Sequence, residues 1–175
     1  MHSVGKARAA APEDPGFYAW WCNEDELPHD VPLVRHPELP LGLLYVGVAP
    51  NMDESASNLR KRLRQHTKGA IGSSTFRFGL AALLFEDMGW LPHWPATKPI
   101  LENRDLGALS DWQAKNLQAQ WVEVDQPWMV EADVIDALGP PMNRAHNEGH
   151  PFYAAMGAAR NALRDAARRR RELDT

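Results

Sequence analysis

The chain has 175 residues, of which 44% are hydrophobic and 24% are charged, as is ordinary for one soluble globular domain with a real core. No apolar run reaches the roughly 18 residues that a membrane-spanning helix needs. The only cysteine is Cys22, which excludes a disulfide framework and a cysteine-based zinc site, so a reducing cytoplasmic compartment is expected.

The basic residues are clustered, although the net charge of −4 by itself disfavours a nucleic-acid-binding protein. Between positions 58 and 78 the chain carries no acid and the following basic residues: Arg60, Lys61, Arg62, Arg64, Lys68 and Arg77. A second basic run occupies residues 168–171. Because local basic surfaces can hold a phosphate backbone, nucleic acid remains a candidate partner.

The first half of the chain predicts a hairpin followed by a basic helix. Residues 1–14 are polar and alanine-rich, which predicts a flexible tail ahead of a single domain over residues 15–175. The next predicted segments are a strand over 17–21, a long exposed connection over 23–41 and a strand over 43–48. The alternation of side chains lets Tyr18 and Tyr45 share one face of this hairpin. Ser57 or Asn58 is the predicted N-cap of the basic helix.

The second half of the chain predicts mainly helix, with one more strand. The predicted helices cover residues 78–84, 111–118 (with Ser110 as N-cap), 127–138 and 152–172, and the strand covers 121–125. Residues 87–106 contain two tryptophans and three prolines and predict an irregular excursion. In the third of these helices, Val130, Val134 and Leu138 form the predicted buried stripe. The pattern therefore indicates an α+β fold with a small mixed sheet of three strands flanked by helices and a basic C-terminal helix.

Each residue that could carry chemistry has an ordinary explanation when it is taken alone. Tyrosines in strands are usually packing residues. A run of charges on a helix is usually a solvated face, although Arg62 and His66 border the apolar stripe of Leu59 and Leu63. A glutamate near a helix N-terminus, such as Glu131, usually complements the helix dipole.

The order and spacing of these residues favour a functional explanation. The chain contains Gly16-Phe17-Tyr18, then Tyr45-Val46-Gly47, then a Leu-x-x-Arg-Leu helix with Arg62 and, four residues later, His66. Glu131 follows, with Pro140 nine and Asn143 twelve residues after it. Over residues 15–143 this set resembles the GIY-YIG nuclease family, with Phe17 and Val46 as conservative departures and residues 87–118 as an insertion.

The resemblance implies a metal-dependent endonuclease acting on nucleic acid, with DNA as the expected substrate. It implies that Glu131 holds one Mg²⁺ or Mn²⁺ ion and that Arg62 neutralises the phosphate. Tyr18 is the expected base, Tyr45 the orienting hydroxyl and Asn143 a hydrogen-bonding brace. His66 and Lys61 are candidate cations that lower the tyrosine pKa. The residues expected to contact nucleic acid are Arg60, Lys61, Arg64, Lys68 and Arg77.

Two other functions remain open from the sequence. The domain could bind nucleic acid with the same fold and cut little or nothing. It could also be a structural or partner-binding protein that uses the tryptophan-rich excursion as its contact surface. His146 and His150 are four residues apart, but the breakers around them predict a turn rather than a zinc site.

Overall fold

A five-stranded antiparallel sheet forms the centre of the computed structural model, which describes residues 1–27 and 31–173. The strands are β1 (His2–Ser3), β2 (Gly16–Cys22), β3 (Val34–Arg35), β4 (Gly42–Ala49) and β5 (Leu117–Glu123). They lie in the order β1-β5-β2-β4-β3. The three predicted strands are thus the central ones, and the sheet is antiparallel rather than mixed.

Six helices of the described residues pack on this sheet, and the predicted α+β fold is confirmed. They are α1 (Val4–Ala10), α2 (Leu59–Thr67), α3 (Thr75–Leu84), α4 (Asn103–Asn116), α5 (Glu131–Leu138) and α6 (Tyr153–Leu173). The larger hydrophobic core contains Tyr18 and Trp20 of β2 together with side chains from α1 to α4 and α6. A smaller cluster contains Phe17, Val46 and Val48 and is covered by Val134 of α5. No helix of the described residues combines the length and apolarity needed to cross a membrane.

The N-terminal segment is part of the fold, which corrects the prediction of a flexible tail. β1 pairs with β5, and α1 follows with Ser3 as its N-cap. Val4, Ala7 and Ala11 are buried in the larger core. The alanines of this segment gave no apolar pattern that predicts packing. As small residues, they let a short helix lie close to the sheet and to α2.

Helix α4 and strand β5 both begin earlier than predicted. α4 begins at Asn103, well before residue 111, and Ser110 lies in its interior, where the hydroxyl donates to the Leu106 carbonyl at 2.9 Å. A serine can make this bond inside a helix as readily as it caps one, which is why the sequence misplaced the start. β5 correspondingly begins at Leu117 instead of residue 121.

The predicted stripe on α5 is also corrected. A 3₁₀ turn at Pro127–Met129 precedes the helix, which begins only at Glu131. Ile135 is the buried residue, whereas Val130 and Leu138 are 43% and 42% exposed.

The two irregular segments hold little regular structure. Residues 87–102 form no helix or strand apart from one bridge between His93 and Ile100. The predicted connection over 23–41 contains a 3₁₀ turn at Glu24–Glu26 and strand β3. Residues 28–30 of that connection, and residues 174–175 of the predicted domain, lie outside the described residues.

Candidate active site

The two tyrosines lie side by side on one face of the sheet. β2 and β4 pair so that Tyr18 is opposite Gly47 and Trp20 is opposite Tyr45. Residues opposite each other or two apart on a strand share a face. The ring centroids of Tyr18 and Tyr45 are accordingly 6.4 Å apart, as the alternation of the sequence predicts.

The glycines of the two motifs are explained by close approach of other groups. A Cβ at Gly47 would lie 2.2 Å from the Tyr18 hydroxyl oxygen, so that oxygen occupies the space above the glycine. A Cβ at Gly16 would lie 2.1 Å from the Val122 carbonyl oxygen of β5. Neither position accepts a larger residue without a shift of the site or the sheet.

Helix α2 positions the arginine and histidine beside the tyrosines. Asn58 caps the helix by accepting from the Lys61 N–H at 2.9 Å. Leu59 and Leu63 are fully buried, which turns the half-buried Arg62 towards the edge of the core. Arg62 lies close enough to Tyr18 for its charge and N–H groups to act on the Tyr18 hydroxyl.

His66 joins Tyr18 to the start of α3. The Tyr18 hydroxyl lies 2.6 Å from His66 Nε2, and His66 Nδ1 lies 2.6 Å from the Ser74 hydroxyl. Ser74 is itself the N-cap of α3 and accepts from the Arg77 N–H at 3.0 Å. A neutral imidazole has one donor and one acceptor nitrogen, so the three side chains form one continuous buried chain of hydrogen bonds.

The surroundings of His66 favour its neutral form, which argues against its predicted role as a cation. Burial, together with the nearby Arg62 charge, lowers the pKa of His66 to about 3. Lys61, the other candidate, donates its exposed Nζ to the Ala56 carbonyl at 2.8 Å. The cation that acts on both tyrosines is Arg62.

Both tyrosines are protonated at neutral pH. Burial raises the pKa of Tyr18 well above its ordinary value of 10 and also raises the pKa of Tyr45. The Arg62 guanidinium offsets part of this increase, while the Glu131 carboxylate adds to it. The tyrosines, Arg62 and Glu131 are therefore near enough to act on one another's charge.

Glu131 is the first residue of α5 and faces this group half-buried. Burial raises the pKa of its carboxyl group, and the charges of His146 and Arg62 partly offset the increase. Its carboxylate makes no hydrogen bond or ion pair with another described residue. The described residues also contain no group of three or more His, Cys, Asp or Glu side chains able to hold a metal.

His146 is a neighbour of Glu131 that the sequence did not identify as part of the site. It is exposed, lies in the predicted turn and has a φ of 59° in the left-handed region. Asparagine, aspartate and histidine adopt this conformation more often than other non-glycine residues. Sequence spacing drew attention only to the pair with His150 and not to Glu131, fifteen residues earlier.

Asn143 holds the second tyrosine strand in place. It is 4% exposed, its Oδ1 accepts from the Val46 N–H at 3.0 Å, and its Nδ2 donates to the Val46 carbonyl at 2.8 Å. Both the oxygen and the nitrogen of the side-chain amide are thus hydrogen-bonded to the backbone of Val46, the residue next to Tyr45. These bonds make Asn143 a positioning residue for β4, and its predicted part in the reaction stays a prediction.

Comparison with known families agrees with this geometry. The family model of the GIY-YIG catalytic domain matches residues 16–162, which is most of the chain. The chain belongs to the GIY-YIG family. Its domain is of a kind typical of endonucleases, which act on nucleic acid. Neither the curated proteins nor the solved structures gave a significant match.

Arg77 of this GIY-YIG domain is buried, whereas its predicted contact with nucleic acid requires an exposed side chain. It is 1% exposed, and burial lowers its pKa to about 10. Its guanidinium donates to the Gly69 and Leu106 carbonyls and to the side chains of Gln113 and Ser110. Arg77 therefore ties α3 to α4, because a buried guanidinium must be satisfied within the protein.

The other predicted nucleic-acid contacts divide into two groups. Arg60 and Arg64 donate to the Ala11 and Arg8 carbonyls at the end of α1, where cations complement the helix dipole. Arg60 also forms an ion pair with Glu13 at 2.7 Å. Lys61 and Lys68 are exposed. For these four residues, contact with nucleic acid stays a prediction.

The buried neutral His66 makes the GIY-YIG domain sensitive to acid. The pKa of His66 rises from about 3 when folded to 6.5 when unfolded, so its contribution to stability is complete above pH 6.5 and is lost as the pH falls towards 3. Within that window the free energy of unfolding should fall by about 1.4 kcal/mol per pH unit. Urea unfolding measured across this pH range should show that the free energy of unfolding falls less steeply with decreasing pH in His66→Gln than in the wild type. The other titratable groups are the same in both proteins. Equal slopes in both proteins would contradict the assignment.

Proposed function

We propose that this GIY-YIG domain is a metal-dependent endonuclease that hydrolyses phosphodiester bonds in DNA. The observation that supports it is the convergence of Tyr18, Tyr45, Arg62 and Glu131 at one edge of the core. Two hydroxyls, a cation and an unpaired carboxylate are the groups that such a reaction needs to handle a proton, a phosphate and a metal ion.

The Glu131 carboxylate is a suitable ligand for a divalent metal ion. Glu131 presents a half-buried carboxylate that no described residue uses, and Mg²⁺ is commonly held by one or two carboxylates together with water and substrate phosphate. Mn²⁺ takes the same oxygen donors. When bound, the ion would stabilise the negative charge that develops on the phosphate and the leaving oxygen.

The protein side chains then have separate roles in the proposed reaction. Arg62 neutralises the scissile phosphate through charge-assisted hydrogen bonds. Tyr18 is protonated in the free protein, so it takes a proton from the attacking water only as its own proton passes to His66, 2.6 Å away. Tyr45 orients the water with its hydroxyl. Burial disfavours a charged His66 in the free protein, and the negative phosphate is the group that would offset this cost.

A nucleic-acid-binding module with little or no cleavage is the second candidate. The observation that favours it is the raised pKa of both tyrosines, which keeps each hydroxyl protonated and unable to take up the proton of water unless the bound substrate changes its surroundings. The unpaired Glu131 carboxylate favours the enzyme, because a module that only binds a polyanion gains nothing from an uncompensated negative charge there.

A substrate panel separates these functions. The purified protein is incubated with plasmid DNA, branched DNA and RNA in Mg²⁺, in Mn²⁺ and in EDTA, and the products are resolved on gels. We expect metal-dependent cleavage of DNA and none in EDTA. Cleavage of RNA alone would overturn the proposed substrate. Retarded mobility of DNA without any cleavage would support the binding module.

A further inference from the structure

A basic pocket lies beside the candidate active site and plays no part in the mechanism above. It has a volume of about 270 Å³ and lies between the start of α3, the irregular excursion and α6. Its polar and aromatic lining includes Thr75, Phe78, Trp94, Lys98, Arg160 and Arg164. Of the described residues that line it, three are basic and none is acidic.

Arg160 is a buried cation whose donors are not all used. The residue is 8% exposed, its Nη2 donates to the Thr75 carbonyl at 3.0 Å, and its Nε has no partner among the described residues. A Cβ at Gly79 would lie 2.9 Å from Nη2, so the glycine makes room for the guanidinium. No carboxylate of the described residues pairs with Arg160. A buried guanidinium without a carboxylate partner is costly unless another anion offsets its charge.

The surroundings of Arg160 add positive charge. Arg164 lies one turn further along α6, with its guanidinium 4.9 Å from the centroid of the Phe78 ring. Lys98 is exposed at the pocket wall. The N-terminus of α3 at Thr75 carries the positive end of the helix dipole, which favours an anion there.

The pocket is close to the tyrosines but separate from Arg62 and Glu131. Ser74 forms part of its wall and is the residue that contacts His66, which in turn contacts Tyr18. The positive charge of Arg160 also acts to lower the pKa of Tyr45. A polynucleotide carries phosphates on both sides of the bond being cut, so a second anion site beside the tyrosines fits a neighbouring part of the same strand.

We propose that this pocket binds a backbone phosphate of the nucleic-acid substrate other than the one that is cleaved, with Arg160 and Arg164 as its main donors. This inference rests on the proposed function. The excursion and α6 thus supply a substrate-positioning surface, and the buried arginine selects for a phosphate group instead of a neutral ligand.

The test measures how DNA affinity depends on salt. Fluorescence anisotropy of a fluorescein-labelled duplex in EDTA gives the slope of log Kd against log salt for the wild type, Arg160→Gln, Arg164→Gln and Lys98→Gln. Arg164 and Lys98 are more exposed than Arg160, so those variants keep the test valid if Arg160→Gln unfolds. Loss of one phosphate contact should reduce the slope by about 0.9. Arg35→Gln, which removes an arginine that is 82% exposed on β3, should leave the slope unchanged.

Three results would overturn the proposal. The first is a steep wild-type slope that Arg160→Gln and Arg164→Gln both retain, which would leave the proposed nuclease function standing. The second is the absence of any nucleic-acid binding by the wild type, which would remove the function as well. The third is a pair of findings: inorganic phosphate raises the melting temperature of the wild type but not of Arg164→Gln, and the two proteins have the same salt slope for DNA binding. That result would assign the pocket to a free phosphate.

Discussion

Arg62→Ala should lose nearly all DNA cleavage and keep almost all of its stability. Arg62 is half-buried beside Tyr18, and its Nη1 donates to the Gln65 side chain at 3.2 Å. Removing a group that stabilises developing charge typically slows an enzyme by about 10²–10³-fold. The loss should appear in the single-turnover rate constant at saturating DNA and metal ion. The melting temperature should change by no more than a few degrees.

Two further variants identify the cause of the loss. Arg62→Lys keeps the charge but not the planar, two-pronged donor, so it should recover only part of the rate. Arg64→Ala removes an arginine from the same helix, but one that donates to the Arg8 carbonyl on the side of α1. It should cut bound DNA at the wild-type rate. An Arg62→Ala protein as active as Arg64→Ala would show that Arg62 is only a solvated basic residue.

Tyr18→Phe should slow cleavage by about 10²–10⁴-fold, the usual size of a general acid–base contribution. The substitution keeps the ring in the core and removes the hydroxyl that lies 2.6 Å from His66. The loss should persist at saturating DNA and Mg²⁺, because neither phosphate binding nor metal binding depends chiefly on this hydroxyl. Tyr153→Phe on α6 is the matched control and should cut normally.

The stability of the same variant reports on the hydrogen-bond chain. Removing the Tyr18 hydroxyl leaves one nitrogen of the buried His66 without its partner, which should cost about 1–3 kcal/mol in the free energy of unfolding. If Tyr45→Phe is inactive while Tyr18→Phe cuts normally, the two tyrosine roles are reversed. If both variants cut normally, the tyrosines serve only in packing.

The sequence predicted the centre of the site because that part depends on local pattern. Alternation in β2 and β4 placed Tyr18 and Tyr45 on one face, and the 3.6-residue period of α2 placed Arg62 beside the buried Leu59 and Leu63. These relations follow from strand and helix geometry within short segments. The space above Gly47 that holds the Tyr18 hydroxyl depends on strand register, which the sequence did not fix.

The errors concern residues whose surroundings come from distant parts of the chain. The neutral form of His66 is favoured because the imidazole is buried, with Tyr18 and Ser74 as its partners, and Arg77 can be buried because α4 supplies acceptors such as Gln113. Neither environment is visible in the local sequence, where both residues belong to a basic run. Val4 and the rest of α1 were missed for the same reason, since a seven-residue helix is stabilised mainly by what it packs against.

The most direct test of the account is DNA cleavage by Glu131→Gln over a range of Mg²⁺ and Mn²⁺ concentrations. This substitution keeps the size of the side chain and removes the carboxylate that, among the described residues, the candidate site offers to a metal ion. Glu86→Gln, at an exposed glutamate next to the end of α3, is the control. We predict that the wild type and Glu86→Gln cut DNA with either metal and stop in EDTA, while Glu131→Gln folds normally and cuts at no concentration of either ion. Cleavage by Glu131→Gln at the wild-type rate would contradict the account.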